Sequence, residues 1–206
     1  MSPSVTSGAR GATAFSPRFL VTGSRQVGKT TFLHSIAEPE RRFVSLDVPD
    51  VQAMARAEPC LFLADNPPPV AIDEIQYVPE LLPYIKERID DARFKNPEKA
   101  AGMYWLAGSQ QFRMMTKVIE SLAGRIGIFN LHGLSAQELA GAPEAVPYLP
   151  ENLDVATEPL SPAPFFEKLW TGSYPHLLMS TDPRGNWLDF YRSYVQTYLE
   201  RDVRSL

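Results

Sequence analysis

A single cysteine, Cys60, leaves no partner for an intramolecular disulfide and too few thiolates for a cysteine-rich zinc site. That usage fits a reducing cytoplasm. The histidines are equally sparse: His34, His132 and His176 stand far apart without ligand spacing, so each reads as structural. No apolar run approaches the roughly 20 residues needed to cross a bilayer. An excess of one charge is also missing. With 20 basic and 24 acidic residues the net charge is −4, which gives no general electrostatic reason to expect nucleic acid or an anionic membrane as partner. Arg88 and Arg93, and Arg192, Arg201 and Arg204, read as solvated helix faces. Residues 1–17 contain no acidic residue and are rich in Ser, Ala and Gly. They lack an amphipathic pattern, so a disordered arm is the simpler reading than a transit peptide.

What is present is an ordinary globular composition, 44% hydrophobic and 21% charged, in 206 residues, enough for one α/β domain and part of another. Short apolar runs at 18–22, 43–46, 70–72, 103–107 and 126–131 predict five strands. Between them lie helical patterns at 29–37, 49–57, from Pro79 onward (Leu82, Ile85 and Ile89 on one face) and at 111–122. Strands alternating with helices predict a mostly parallel five-stranded sheet in a three-layer α/β/α arrangement, with right-handed crossovers. We divide the chain into the arm 1–17, a core 18–140, a proline-rich linker or excursion 141–163, and a helical segment 164–206 that reads as the start of a further C-terminal region. In that segment Phe165, Phe166, Leu169 and Trp170, and then Trp187, Tyr191, Tyr194 and Tyr198, recur at helical spacing, which predicts core.

The chemistry concentrates in four places. Gly23-Ser24-Arg25-Gln26-Val27-Gly28-Lys29-Thr30 satisfies G-x-x-x-x-G-K-[ST] between a predicted strand and a predicted helix, and Thr31 continues it. Such a loop turns successive N–H groups inward, adds the positive end of a helix, and so cradles a polyphosphate. Lys29 then reaches the terminal phosphates and the Thr30 hydroxyl ligates Mg²⁺. The dinucleotide pattern G-x-G-x-x-G is absent from the loop. Val70-Ala71-Ile72 delivers Asp73 and Glu74 to the end of a buried strand, where Asp73 would hold Mg²⁺ and Glu74 would deprotonate an attacking water. The alternative is a strand that simply ends in exposed acids. Ser109 closes the 103–107 strand and can reach a γ-phosphate, cap the following helix, or do both. Arg125 precedes the fifth strand. It either forms a salt bridge there or reaches the γ-phosphate of a neighbouring subunit, which would require a homo-oligomer.

Taken together, Val21 to Thr31, Ile72-Asp73-Glu74-Ile75-Gln76, Ala107-Gly108-Ser109 and Ser121-Leu122-Ala123-Gly124-Arg125 resemble a prokaryotic family of AAA-type ATPases that usually carry an uncharacterised C-terminal domain. The segment 134–139, Gly172-Ser173-Tyr174-Pro175 and residues 198–203 resemble its later signatures. The resemblance implies an AAA-like P-loop core, ATP and Mg²⁺ as ligands, and hydrolysis. It assigns Gly28, Lys29 and Thr30 to the nucleotide, Asp73 and Glu74 to metal and water, and Ser109 to sensing. Ser24 stands where the family usually shows proline, and 142–164 is longer and richer in proline than the family pattern. Other functions stay open from the residues themselves. A small-molecule kinase would need lid arginines, which are not clustered here. A GTP switch would need N-K-x-D, which does not occur. The leading reading is an ATPase that couples hydrolysis to a conformational change in a partner or C-terminal domain, and the alternative is a nucleotide-gated interaction module that binds ATP with little turnover.

Overall fold

The structure, a computed structural model, describes residues 18–96, 100–109, 127–141 and 161–198. These fall into two compact units, one closing at His132 and the other opening at Gly133.

In the first unit, strand β1 (Arg18–Gly23) leads through the loop to helix α1 (Lys29–Ile36). Strand β2 (Arg42–Ser45) follows, then α2 (Pro49–Ala57), α3 (Pro59–Asp65) and β3 (Val70–Asp73). Among the described residues a 3₁₀ turn (Ile75–Tyr77), helix α4 (Leu81–Lys95), β4 (Tyr104–Ser109) and β5 (Gly127–Asn130) follow. The five strands pair in the order β2-β3-β4-β1-β5 and every pairing is parallel. The prediction of a mostly parallel α/β sheet is thus met by a fully parallel one.

Parallel strands covered on both faces read as continuous apolar runs. Phe19, Leu20 and Val21 show why: all three are fully buried, yet they serve two cores. Leu20 joins Ile72 and Leu106 under α2, α3 and α4, which contribute Ala55, Phe62, Leu63, Leu81, Ile85 and Ile89. Phe19 and Val21 point the other way, with Ala71, Trp105 and Ala107, and meet Phe32, Leu33 and Ile36 of α1. At roughly 1.5–3 kcal/mol for each fully buried large side chain, these two layers are the main source of the unit's stability. Proline opens both α2 and α3, where its missing N–H has no helical role. Pro83, the third residue of α4, is tolerated for the same reason. Helix α3 was not foreseen in the sequence. The helix predicted over 111–122 and the arm 1–17 lie outside the described residues.

The amino ends of β2, β3 and β4 are joined by Arg41, a residue only 6% exposed. Its guanidinium donates to both carboxylate oxygens of Glu38, at 2.7 and 3.0 Å, and to the carbonyls of Gly102 at 2.9 Å and Val70 at 3.4 Å. It also lies 3.6 Å from the centroid of the Trp105 ring, a cation–π arrangement.

The second unit begins with α5 (Ala136–Leu139), whose N-terminus carries a capping box between Ser135 and Glu138. Helices α6 (Pro162–Thr171), α7 (Pro175–Leu178) and α8 (Pro183–Tyr198) follow. The Leu134 N–H donates to the Ser173 carbonyl at 2.8 Å. Tyr174 packs against Phe190, Tyr191 and Tyr194 of α8, and Trp170 stacks on Trp187 at 4.0 Å. One expectation fails here. Phe165, Phe166, Leu169 and Trp170 are 46, 65, 62 and 51% exposed, not core. The α8 rings are taken up by Tyr174 and by one face of Trp170, which leaves the outer side of α6 uncovered among the described residues. Helix α6 also starts inside the predicted linker, with Pro162 and Pro164 in its first turn.

Candidate functional site at the carboxyl edge of the sheet

In a parallel sheet all strands end on one edge, and the register here makes that edge specific. Gly23 is level with Ser109, and Ser45 is level with Asp73. The phosphate-type loop, the acidic strand end and the serine therefore emerge side by side. The crevice beyond strand carboxyl ends is where open α/β sheets take their ligands.

The loop turns into α1 at Gly28, which adopts φ 92° and has nothing within 4 Å of where a Cβ would stand. Glycine is needed there for its backbone conformation and not for space. The first helical bond runs from the Phe32 N–H to the Gly28 carbonyl at 2.8 Å. Helix geometry leaves the N–H groups of the first turn without carbonyl partners inside the helix, and so available to an anion. Val27 is buried, whereas Ser24, Gln26, Thr30 and Thr31 are exposed. Lys29 is only 7% exposed, because its ammonium curls under the loop and donates to the carbonyls of Gly23 at 3.2 Å and Ser24 at 2.9 Å. Arg25 leaves the loop sideways and donates to the Tyr77 hydroxyl at 3.3 Å.

Opposite the loop, the Thr30 hydroxyl donates to Asp73 Oδ2 at 2.7 Å. The other carboxylate oxygen, Oδ1, accepts the Glu74 N–H at 2.9 Å. Glu74 itself takes a left-handed backbone, φ 55° and ψ 43°, and this turns the chain abruptly into the 3₁₀ segment. Ser109, 3% exposed, ends β4 in the same place.

One residue in the constellation had no role assigned from sequence. Gln76 is fully buried. Its side-chain nitrogen donates to Glu74 Oε2 and to Ser109 Oγ, the latter at 3.0 Å. The signal was its place two residues after Glu74, but the partner that matters lies on a different strand. Arg125, in contrast, lies outside the described residues.

Among the described residues, no group of three or more His, Cys, Asp or Glu side chains could hold a metal alone. A hydroxyl and a carboxylate in direct contact do fit a cation that prefers oxygen and completes its shell with phosphate and water, as Mg²⁺ does. None of the described helices is long and apolar enough to cross a membrane.

Comparison with known proteins places the chain in a family. The family model described as AAA domain matches residues 16–140. Uncharacterised proteins of Mycobacterium bovis and Mycobacterium tuberculosis are each 28% identical over 195 residues, covering 92% of this chain. The chain spans 37% of the length of these relatives. A solved structure of a DNA replication initiation factor aligns with 63% of this chain and 44% of its own, at 13% identity and a TM-score of 0.36. The family match covers more than half of the sequence and contains the loop, both carboxylates and Ser109, so the chain belongs to the AAA domain family of P-loop ATPases.

Proposed function

We propose that this edge binds ATP with Mg²⁺ and hydrolyses it, and that turnover drives a conformational change in a C-terminal domain or partner protein. The observation that carries the proposal is the 2.7 Å contact between Thr30 and Asp73, which brings the loop and the acidic strand end to one point. Backbone N–H groups of residues 23–31 receive the phosphates, and Lys29 neutralises the terminal ones from beneath the loop. Thr30 and Asp73 would hold the metal ion. When bound, Mg²⁺ supplies positive charge that offsets the charge developing on phosphate oxygens. Glu74, one residue beyond Asp73, takes the proton from the attacking water. Ser109 donates to the γ-phosphate. Arg125 is assigned to the γ-phosphate of a neighbouring copy, which would make hydrolysis depend on self-association. The adjacent carboxylates favour water as acceptor over a metabolite hydroxyl.

The test is calorimetric binding and phosphate release for the parent, Glu74→Gln and Lys29→Ala. Glu74→Gln should keep ATP affinity and lower turnover by about a hundredfold or more. Lys29→Ala should abolish measurable binding. Equal turnover in parent and Glu74→Gln removes Glu74 from the base role. Unchanged affinity in Lys29→Ala defeats the loop assignment. Tight binding without turnover at any protein concentration would favour the nucleotide-gated module.

A further inference from the structure

A primary amide nitrogen carries two hydrogens, and an ionised carboxylate only accepts. The Gln76 nitrogen, not its carbonyl, must therefore face Glu74, and this fixes the orientation of the amide. Its second hydrogen goes to Ser109 Oγ at 3.0 Å. A serine hydroxyl that accepts one bond keeps its own hydrogen to donate elsewhere. The amide thus does two things at once: it ties down one carboxylate oxygen and dictates which way the hydroxyl can act.

The same side chain is poorly arranged for stability. Its carbonyl Oε1 is buried and has no hydrogen-bond partner among the described residues, a destabilising condition that needs an explanation. The neighbouring strand makes room for it. A Cβ on Gly108 would stand 2.6 Å from Gln76 Oε1, so β4 lacks a side chain at the point where the amide lies.

We propose that Gln76 is a positioning residue that joins Glu74 and Ser109 into one hydrogen-bonded unit, seating the carboxylate and leaving the Ser109 hydroxyl as a donor to the γ-phosphate. The inference rests on ATP being bound and hydrolysed at this edge. It adds the device by which two groups on different strands are set relative to each other.

The experiment compares the parent with Gln76→Leu and Gly108→Ala. Three quantities are read: steady-state turnover, the ratio of ATP to ADP affinity by calorimetry, and melting temperature. Gln76→Leu should hold KM within about threefold while kcat falls about tenfold to a hundredfold. Its preference for ATP over ADP should fall by about tenfold, because the hydroxyl is no longer directed. Its melting temperature should stay close to the parent's, since the loss of the amide's bonds to Glu74 and Ser109 is offset by removal of an unpartnered buried carbonyl. Gly108→Ala should shift kcat and the affinity ratio in the same direction by displacing the amide, and it decides the matter alone where Gln76→Leu does not fold. A parent without turnover defeats the hydrolysis reading only, and the affinity ratio still decides the role of Gln76. Parent-like kcat and affinity ratio in the variants overturn the inference. So does a fall in melting temperature that accounts for the whole loss of activity.

Discussion

The two ends of one sheet each bury a large polar side chain, Arg41 at the amino edge and Gln76 at the carboxyl edge. Arg41 is close to saturated. It makes a two-pronged contact with Glu38, bonds to two backbone carbonyls and lies over the Trp105 ring. Gln76 bonds through its nitrogen alone, and its carbonyl has no partner among the described residues. A saturated network adds stability and fixes the strands it joins. An unsaturated one is retained where the groups it holds have chemistry to perform. The two side chains thus differ in how fully they are paired, and the less fully paired one lies at the edge that we propose to be functional.

The contrast can be tested by moving each end separately. Asp73→Asn should have the largest effect. Asparagine can keep its oxygen for the Glu74 N–H and donate its amide to the Thr30 hydroxyl oxygen, so folding should be little changed, but the charge is gone. ATP affinity should then lose its dependence on Mg²⁺, and turnover should fall on the order of a hundredfold or more. Titrations with and without Mg²⁺ read this directly, and a Mg²⁺ dependence equal to the parent's would detach Asp73 from metal binding. Arg41→Met should do the opposite. Methionine refills the space against Trp105 but leaves the Gly102 and Val70 carbonyls without their donor. A loss of about 3 kcal/mol is expected, visible as a lower urea midpoint at unchanged slope. Nucleotide affinity of the folded fraction should stay at the parent value. A stability equal to the parent's would erase the distinction between the two ends.

Much of this was legible because it is local. The loop motif is contiguous, and strands buried on both faces betray themselves as unbroken apolar runs such as Phe19-Leu20-Val21. Asp73 and Glu74 follow directly from such a run. What escaped is non-local or depends on competition between surfaces. Gln76 and Ser109 are 33 positions apart, and only the pairing of β4 between β1 and β3 brings them together. Arg41 reaches Gly102 across 61 positions. The α6 aromatics have the spacing of a buried face, but spacing does not say whether a partner surface exists. Helix α3 escapes the sequence because only Glu58 separates Pro59 from the end of α2, and a proline there reads equally as a stop or a start.

The smallest expected effect concerns acid. The hydrogen bond from Arg41 holds the Glu38 carboxyl below its ordinary value. A group with a depressed folded pKa adds stability above its unfolded pKa and loses that contribution as pH falls through the folded value. The Glu38 side chain is 51% exposed, so water screens the pair and the contribution should stay under about 1 kcal/mol. Glu38→Gln should accordingly be slightly less stable than the parent near neutrality. The gap should close on acidification through and below the ordinary carboxylate range, where the parent carboxylate also becomes neutral. Urea midpoints measured across that range would show it. A gap that persists unchanged in acid would mean that Glu38 acts through packing or neutral hydrogen bonding. The amino-edge cluster would then owe its stability to the carbonyls and the Trp105 ring, with the ion pair contributing nothing measurable.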